Sequence, residues 1–347
     1  MASLLTRFFT LASEAIFSQD GTIDKFIGDA MLMFFGLLLL MGLGVVLSLA
    51  VTFPFEPRVL AIWPRRLSPD VGGTLAQTLE MAGFRPGDLD AIVYATSSPD
   101  HFAPGNGVYL QRLLGITSTI PALDVRAQCS GFIYALSVAD AWIRAGQYRH
   151  ILVVGGEVQS TGLEISSAGR HVAVIFADGA GAVVLGPAEA EDGGILAFDL
   201  HSEGTHAEKL WVDVPGSMYH PRVSPEQIQA GRQFLEMDGR EVFRHAVVRM
   251  PESVRAVLAS TGQTPEDMTL LLAHQANLRI AEVMQKDLRL RDDQVYNNIM
   301  WYGNTTAATI PIALDECVRN GRLKRGDLLV LTAFGSGFMW GSAAVRW

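Results

Sequence analysis

Amphipathic helical stretches alternate with short β-rich runs from about residue 67 to the end of the chain. This alternation favours an α/β protein, because strands that are linked through helices pair in parallel and are covered by those helices. The periodicity predicts helices at 71–83, 130–145, 239–260, 277–288 and about 305–319. It predicts strands at 91–97, 121–125, 150–156, 269–274 and 327–347, with a strand pair at 171–187. Residues 188–230 are irregular, and we interpret them as a connection between two halves, with room for short strands.

Length and composition indicate a large apolar core in two parts. A chain of 347 residues is longer than one ordinary core fills, and 49% of its residues are hydrophobic. We therefore expect an atypical leader at 1–64, a first α/β half with the connecting segment at 65–230, and a second half at 231–347.

Charge and cysteine content exclude several classes of protein. Lys and Arg total 27 against 36 Asp and Glu, so the net charge is −9 and no basic surface for nucleic acid is expected. The two cysteines, Cys129 and Cys317, cannot form a disulfide framework, and neither stands in a metal-binding spacing. We expect a reducing compartment, no metal site and no cofactor.

The leader contains an uncharged stretch, residues 30–55, that is long enough to cross a bilayer as a helix. Fully covered strands of an α/β core also read as continuous apolar runs, and periodicity does not separate the two structures. Arg58, Arg65 and Arg66 follow the stretch and would hold the rest of the chain in the cytosol. Membrane contact through 30–55, with a location at the inner membrane, and a buried strand therefore both stay open.

Cys129 stands where a predicted strand ends and the helix from residue 130 begins. The free N–H groups and the positive dipole end of a helix N-terminus lower the pKa of a nearby thiol, so this position favours a nucleophilic thiolate. Gly131 leaves room for a substrate to approach. The alternative for Cys129 is a small buried hydrophobic residue, which is what most lone cysteines are.

Two further polar residues occupy the same kind of position. His274 ends the predicted strand at 269–274, and Asn304 stands in the loop WYGNTT before another predicted helix. Each of them alone is explained by structural hydrogen bonding or by turn and cap chemistry. In an α/β protein, however, loops at the carboxyl ends of strands form the rim where ligands bind.

Together, Cys129, His274 and Asn304 predict chemistry on a thioester. A thiolate can take an acyl group from a thioester, and an imidazole and an amide can donate to an oxyanion that develops on a second substrate. The closing string AFGSGF, with Gly335 and Gly337 around Ser336, could bring a backbone N–H to the same sulfur and complete an oxyanion hole.

Six strings occur here in the order found in β-ketoacyl-acyl-carrier-protein synthase III and its relatives in the thiolase superfamily. They are DVRAQCSGFIYAL, GRHVAVIFADGAGAVVLG, DGREVFRHAV, LLAHQANLRI, WYGNTTAATIPIALDE and AFGSGFMWGSAAVRW. From about residue 65 to its end, the chain resembles this family. The resemblance implies a thiolase-like five-layered α/β fold of two similar halves, here with an atypical or incomplete N-terminal half, and a cytoplasmic homodimer.

The resemblance also implies a reaction and the residues that perform it. An acyl-CoA first acylates the cysteine, and malonyl carried on acyl carrier protein then loses carbon dioxide and condenses with that acyl group. Cys129 matches the nucleophile, and His274 and Asn304 match the pair that stabilises the enolate. The backbone N–H groups of Cys129 and Ser336 match the hole that holds the carbonyl oxygen of the acyl-enzyme.

Four more positions match family sites for the two carriers. Asn277 and Arg170 match positions associated with the pantetheine arm or nucleotide of coenzyme A. Arg279 and Arg244 match basic positions that meet the acidic carrier protein, a role suited to complementary charge. The alternative is that both arginines are ordinary charged residues on solvent-exposed faces of helices.

The leader departs from the family. The stretch that would clasp the adenine of the coenzyme is short, and Trp63, Arg65 and Arg66 are the nearest candidates. Residues 21–36 resemble instead the metal-binding opening of class III nucleotide cyclases, but the rest of such a domain is missing, so no two-metal site can assemble. We expect a fused, truncated or misjoined leader, with reduced or absent use of acyl-CoA as a consequence to test.

Three other functions stay open at this point. Related condensing enzymes that use a CoA-bound extender share these motifs. An inactive membrane-anchored paralogue would carry the leader in place of the first strand. The order Cys, His, Asn also suits a papain-like peptidase, although the α/β pattern and the lack of a Cys-Gly-Ser-Cys-Trp string speak against it.

Overall fold

A computed structural model describes residues 49–50, 58–62, 79, 84–188 and 193–347. The strands in these ranges are β1 (Leu49–Ala50), β2 (Arg58–Ile62), β3 (Ala91–Ala95), β4 (Ala122–Val125), β5 (Ile151–Glu157), β6 (Gly179–Leu185), β7 (Gly194–Ser202), β8 (Leu210–Trp211), β9 (Glu236–Met237), β10 (Leu270–Ala273), β11 (Leu328–Gly335) and β12 (Met339–Arg346). The helices are α1 (Asn106–Leu113), α2 (Gly131–Arg144), α3 (Arg170–Ala173), α4 (Pro225–Gln229), α5 (Gly239–Ser260), α6 (Leu278–Asp287), α7 (Ile299–Tyr302) and α8 (Thr309–Arg319).

The strands form two mixed sheets and a small ribbon. The first sheet has the order β1-β2-β6-β5-β3-β4, the second has the order β10-β11-β12-β7, and β8 pairs with β9. Strands β5, β3 and β4 run parallel to one another, as do β10 and β11, whereas the remaining pairs are antiparallel. Loops that follow parallel neighbours therefore lie at the same edge of each sheet.

Alternating side chains divide each sheet between two packed layers, because successive residues of a strand point to opposite faces. In β3, Val93 packs in a central cluster with residues of α2 and α8, whereas Ile92 packs on the other face with Leu110 of α1. In β11, Leu331 joins the central cluster and Val330 packs with residues of α5 and α6. Helices thus lie outside both sheets and between them, which confirms the predicted five-layered α/β fold.

Two predicted helices end or begin at local sequence signals, close to the expected residues. Helix α2 stops just before Gly146, whose φ of 69° is a conformation that glycine adopts without strain. Helix α5 begins after Asp238, whose side chain accepts a hydrogen bond from the N–H of Glu241.

Two predictions between residues 170 and 230 are wrong. The strand pair expected at 171–187 is the helical turn α3 followed by the single strand β6, and Phe176 between them bridges to Asn304. The segment expected to be irregular contains the nine-residue strand β7, which pairs with β12. As an edge strand, β7 is only partly buried and carries polar residues, so its apolar alternation is weak. Residues 65–230 consequently supply strands to both sheets.

The leader is described only in part. Strand β1 (Leu49–Ala50), which lies within the apolar stretch, pairs with β2 at the edge of the first sheet, and β2 pairs with β6. The rest of the apolar stretch, the cyclase-like string at 21–36, the candidates Trp63, Arg65 and Arg66, and the predicted helix at 71–83 except Leu79 lie outside the described residues. Within the described part of the chain, no helix has the length and apolar character needed to cross a bilayer.

Candidate active site

Two of the three predicted catalytic residues lie in loops at strand ends. His274 follows β10, and its backbone N–H donates to the carbonyl of Thr332 in β11 at 2.8 Å. Cys129 lies in a 3-10 turn, Gln128–Ser130, between β4 and α2. Strand β11 ends against this turn, since a Cβ atom on Gly335 would stand only 2.8 Å from the Cβ of Cys129 and 3.2 Å from its Sγ. The missing side chain of Gly335 therefore allows the two sheets to share one site.

The sulfur of Cys129 is held by backbone N–H groups inside the protein. Its own N–H and that of Ser336 hydrogen-bond to the thiol and lower its pKa. Burial, and to a smaller extent the charge of Glu157, outweigh them and raise the pKa of the Cys129 thiol to about 12. Burial therefore disfavours the resting thiolate that the position at the helix N-terminus predicted, because the anion loses its hydration.

His274 presents one ring nitrogen without a partner. The side chain is 5% exposed, and its Nδ1 lies 2.7 Å from the Oγ1 of Thr309. Its Nε2 is buried and has no hydrogen-bond partner among the described residues. Burial lowers the pKa of the imidazole to about 3, so the ring is neutral. Because buried polar atoms in native proteins are nearly always hydrogen-bonded, the bare Nε2 marks a place for a ligand.

Asn304 is fixed by its backbone and by its own side-chain oxygen. The backbone N–H donates to the carbonyl of Ile175 and the carbonyl accepts from the N–H of Ala177, each at 2.9 Å. The Oδ1 atom accepts from the N–H of Thr306 at 2.9 Å. With its oxygen occupied, the amide is oriented so that its remaining polar group, Nδ2, is a hydrogen-bond donor.

The segment 304–309 connects these residues. A Cβ atom on Gly131, two positions after Cys129, would lie 3.5 Å from the Cβ of Ala307 in this segment. At the end of the segment, Thr309 contacts the ring of His274. The structure thus places Cys129, His274 and Asn304 around one short segment, although Asn304 follows the helical turn α7 and not the strand that was expected before it.

Backbone conformation around the site is unusual. Gln128, next to Cys129, has φ 44°, and Thr306, two residues after Asn304, has φ 52°. Residues other than glycine rarely adopt such angles, and strained positions of this kind cluster at functional sites. The sequence gives no signal for them, because neither residue is of a type that favours this conformation.

Glu157, the last residue of β5, is a buried carboxyl group that sequence analysis missed. It is 2% exposed and accepts hydrogen bonds from the side chains of Ser97, Ser98 and Gln159. The backbone N–H of Ala307 also donates to it, which ties Glu157 to the segment 304–309. Burial raises the pKa of Glu157 to about 7 despite these donors. The available signal was an acidic residue that closes the apolar run ILVVGG.

The residues predicted to bind coenzyme A lie at the surface. Asn277 is exposed and caps α6, where its Oδ1 accepts from the N–H of Arg279 at 3.0 Å. Arg170 is exposed at the start of α3 and has no ion-pair partner among the described residues. The cap explains Asn277 structurally, and a role in coenzyme binding stays a prediction for both residues.

The two arginines predicted to meet the carrier protein differ in their surroundings. Arg244 of α5 pairs with Glu241 one helical turn earlier, whereas Arg279 of α6 has no ion pair within the described part of the chain. Both side chains are exposed. Arg279 therefore offers an unneutralised charge to a partner, and carrier binding stays a prediction for both arginines.

Two family descriptions match the chain. Residues 123–204 match 3-oxoacyl-[acyl-carrier-protein (ACP)] synthase III, and residues 258–347 match the C-terminal part of the same family. The β-ketoacyl-[acyl-carrier-protein] synthase III of Brucella suis is 43% identical over 273 residues, which cover 78% of this chain and 80% of that protein. The enzyme of the same name from Rhizorhabdus wittichii is 43% identical over 271 residues, covering 78% and 81%.

Solved structures agree with these matches. The 3-oxoacyl-(acyl carrier protein) synthase III of Pseudomonas aeruginosa PAO1 superimposes with a TM-score of 0.72 at 38% identity, over 81% of this chain and 83% of that one. The synthase III of Aquifex aeolicus VF5 gives a TM-score of 0.70 at 38% identity, over 78% and 82%. This likeness confirms the thiolase-like fold and excludes the papain-like peptidase. By its sequence, its fold and its strand-end cysteine, the chain belongs to the β-ketoacyl-acyl-carrier-protein synthase III family of acyltransferases.

Proposed function

We propose that the chain condenses an acyl-CoA with malonyl-acyl carrier protein, with loss of carbon dioxide, to give a 3-oxoacyl product in fatty-acid or related biosynthesis. The observation that carries the proposal is a buried sulfur bound by two backbone N–H groups in the site where the Nε2 of His274 has no partner among the described residues. A thioester carbonyl supplies what both lack, an electrophile for the sulfur and an oxygen for the donors.

In the first step, Cys129 Sγ bonds to the carbonyl carbon of the acyl-CoA, and the bond from that carbon to the coenzyme sulfur breaks. The proton of the thiol passes to the departing coenzyme thiolate. Because burial favours the protonated thiol, the thiol loses its proton as it attacks. The N–H groups of Cys129 and Ser336 hold the oxyanion of the tetrahedral intermediate.

In the second step, the bond from the malonyl carbon to its carboxylate breaks, and carbon dioxide leaves. The electron pair becomes an enolate, whose oxygen accepts hydrogen bonds from Asn304 Nδ2 and from a protonated His274 Nε2. The enolate carbon then attacks the acyl carbonyl, the sulfur of Cys129 leaves as a thiolate, and it takes a proton from solvent.

Thr309 decides which nitrogen of His274 carries the proton. Its hydroxyl lies 2.7 Å from the Nδ1 of His274 and 3.0 Å from the carbonyl oxygen of Thr306. In the structure the hydroxyl donates to the carbonyl of Thr306, so it must turn and donate to Nδ1 for a neutral ring to carry its proton on Nε2, as the second step requires. Thr309 is therefore a positioning residue for the enolate donor.

Mass spectrometry of the protein after incubation with a panel of acyl-CoAs tests the first step. We expect one acyl adduct on Cys129, and the best acyl chain identifies the preferred starter. The Cys317→Ala variant is the matched control and retains the adduct, whereas Cys129→Ala loses it. No adduct with any acyl-CoA, or an adduct on Cys317 only, overturns the proposal.

We propose further that Arg279 and Arg244 bind the carrier protein and that Arg170 and Asn277 bind coenzyme A. Arg279→Glu should raise the KM for malonyl-acyl carrier protein more than Arg244→Glu, because Arg244 is already paired with Glu241. The KM for acyl-CoA should not change in either variant. Equal effects on both substrates would contradict the assignment of these arginines.

A cytoplasmic location and a homodimer complete the proposal. Both are implied by the family resemblance. Sedimentation of the detergent-free chain tests both: a soluble species with twice the chain mass supports them, and recovery only with detergent or as a monomer contradicts them.

A further inference from the structure

Glu203, His206 and His245 form a cluster that the proposed reaction does not use. Each side chain offers a ligand atom, and these atoms lie within 4.8 Å of one another. The Nε2 of His206 is 3.8 Å from the Oε1 of Glu203, and the rings of His206 and His245 have centroids 4.4 Å apart. We propose that these three residues bind one divalent transition-metal ion of the zinc class.

The donor set defines the class of metal. Two imidazoles and one carboxylate are ligands that Zn²⁺, Co²⁺ and Ni²⁺ accept, whereas Mg²⁺ and Ca²⁺ prefer oxygen ligands alone. Ligands that hold a tetrahedral ion at about 2.0–2.2 Å are roughly 3.4 Å apart. The three side chains therefore need to approach one another by only about an ångström to bind an ion, with water in the fourth position.

Three separate elements carry the three ligands. Glu203 follows β7, His206 lies in the 3-10 segment Gly204–Lys209, and His245 lies in α5. Both imidazole rings contact the ring of Phe338, with centroids 5.2 Å apart in each case, and Phe338 is 1% exposed. The ligand side chains themselves are 16–33% exposed, so an ion can reach them.

Neighbouring charges leave the cluster able to accept a cation. The Oε2 of Glu203 lies 3.6 Å from Arg249, whereas its Oε1 is directed to His206. Arg244 approaches His245 at 3.5 Å but pairs with Glu241, whose carboxylate is 3.7 Å from the same imidazole. The two glutamates thus oppose the charges of the two arginines.

A metal ion at this site would also restrain the loop that carries Ser336. Glu203 and Phe338 exchange two backbone hydrogen bonds of 2.8 Å each, and the hydroxyl of Ser336 donates to the carbonyl of Leu210, directly after the 3-10 segment. The ion would link this segment to α5 and so stabilise the loop whose N–H binds the sulfur of Cys129. Binding should therefore raise the melting temperature.

Metal titration of the chelator-treated full chain, in competition with a chromophoric chelator, tests the proposal. We expect one Zn²⁺ or Co²⁺ per chain, visible d–d absorption of the Co²⁺ form, and no response to Mg²⁺. His206→Gln, His245→Gln and Glu203→Gln should each weaken binding by more than about tenfold, since even indirect partners of metal ligands contribute that much. Circular dichroism establishes that each variant is folded, so one unfolded variant does not decide the outcome.

Two matched variants complete the experiment. His201→Gln changes a histidine on the adjacent strand end that is paired with Asp199, so it should bind metal as the unchanged chain does. Cys129→Ala should also bind normally, because the thiol is not a ligand, and this separates the metal site from the proposed reaction. The absence of saturable binding, binding that survives in all three ligand variants, or equal loss in His201→Gln would overturn the proposal.

Discussion

The turn that holds Cys129 and the helix that holds Cys317 bury their thiols almost equally. Cys129 is 5% exposed and Cys317 is 0% exposed, and burial raises the pKa of each thiol to about 12. The difference lies in the surroundings of the sulfur. Cys317 packs within the central apolar cluster, whereas Cys129 receives backbone hydrogen bonds from itself and from Ser336. Burial and pKa therefore do not distinguish a nucleophile from a core residue, but oriented donors do.

The same distinction separates two other buried groups. The carboxyl group of Glu157 is hydrogen-bonded on all sides by side chains and by the N–H of Ala307. The imidazole of His274 is bonded at Nδ1 and bare at Nε2 within the described residues. Protein groups thus fill hydrogen-bonding positions of Glu157, whereas the Nε2 of His274 leaves a position for a substrate.

Cys129→Ala makes the sharpest test of the two-cysteine comparison. Condensation should fall by at least about 10³-fold, because the nucleophile is lost. Cys317→Ala should keep its activity and lose only about 1 kcal/mol of unfolding free energy, as is common for a small buried truncation. Product formation and urea unfolding measure the two effects. Equal loss of activity in folded Cys129→Ala and Cys317→Ala variants would contradict the distinction between the two cysteines.

His274→Ala separates the two half-reactions. Loss of one donor to a developing oxyanion costs about 10²–10³-fold in rate, so decarboxylation of malonyl-acyl carrier protein should slow by that factor. Acylation of Cys129 should continue, because the N–H groups of Cys129 and Ser336 are unchanged. Release of carbon dioxide and the mass of the acyl-enzyme measure the two steps. A variant that decarboxylates normally would remove the assigned role of His274.

Gly335→Ala introduces a methyl group next to the side chain of Cys129. The added Cβ would lie 2.8 Å from the Cβ of Cys129, so the turn must shift away from the Ser336 N–H. We expect acylation to slow by about 10²-fold, in line with displacement of one oxyanion donor. Gly162→Ala is the control, because nothing lies within 4 Å of its added Cβ. Equal acylation rates in both variants would contradict the importance of this contact.

Thr309→Val removes the hydroxyl that can place the proton of His274 on Nε2. Decarboxylation should slow by roughly tenfold, at the lower end of the effect of a lost donor, with little change in KM. Thr309→Ser, which keeps the hydroxyl, should restore the rate. A loss of stability without a change in kcat, or failure of the serine variant to rescue, would show that Thr309 only packs.

Glu157→Gln changes the response to pH. The pKa of Glu157 is raised to about 7 in the folded chain, so the folded state holds the proton more tightly than the unfolded state. Stability should therefore fall as pH rises from about 4.5 to 7, by up to about 3 kcal/mol for this group. Glutamine cannot titrate, so the variant should lack this part of the slope in urea unfolding at pH 5 and 8. The same change should lower the thiol pKa of Cys129 and leave that of Cys317 unchanged. Parallel pH slopes in both proteins would contradict the assignment.

Sequence reasoning predicted the elements with strong periodicity and failed where burial was incomplete. Strand β11 and helix α5 carry long apolar patterns and were found close to their expected ranges. Strand β7 was missed because it is a partly exposed edge strand. Helix α3 was mistaken for a strand because it overlaps the apolar run VAVIF at 172–176, which is too short to show a clear period.

The sequence by itself determined the family, the five-layered α/β plan and the identity of the candidate nucleophile, because these depend on local motifs and on their order along the chain. Only the tertiary structure decided the burial of the thiol, the hydrogen bonds to Glu157, the bare Nε2 of His274 and the proximity of Glu203 to two histidines. Desolvation and hydrogen bonding depend on which distant segments exclude water from a group, and no local string of residues specifies that.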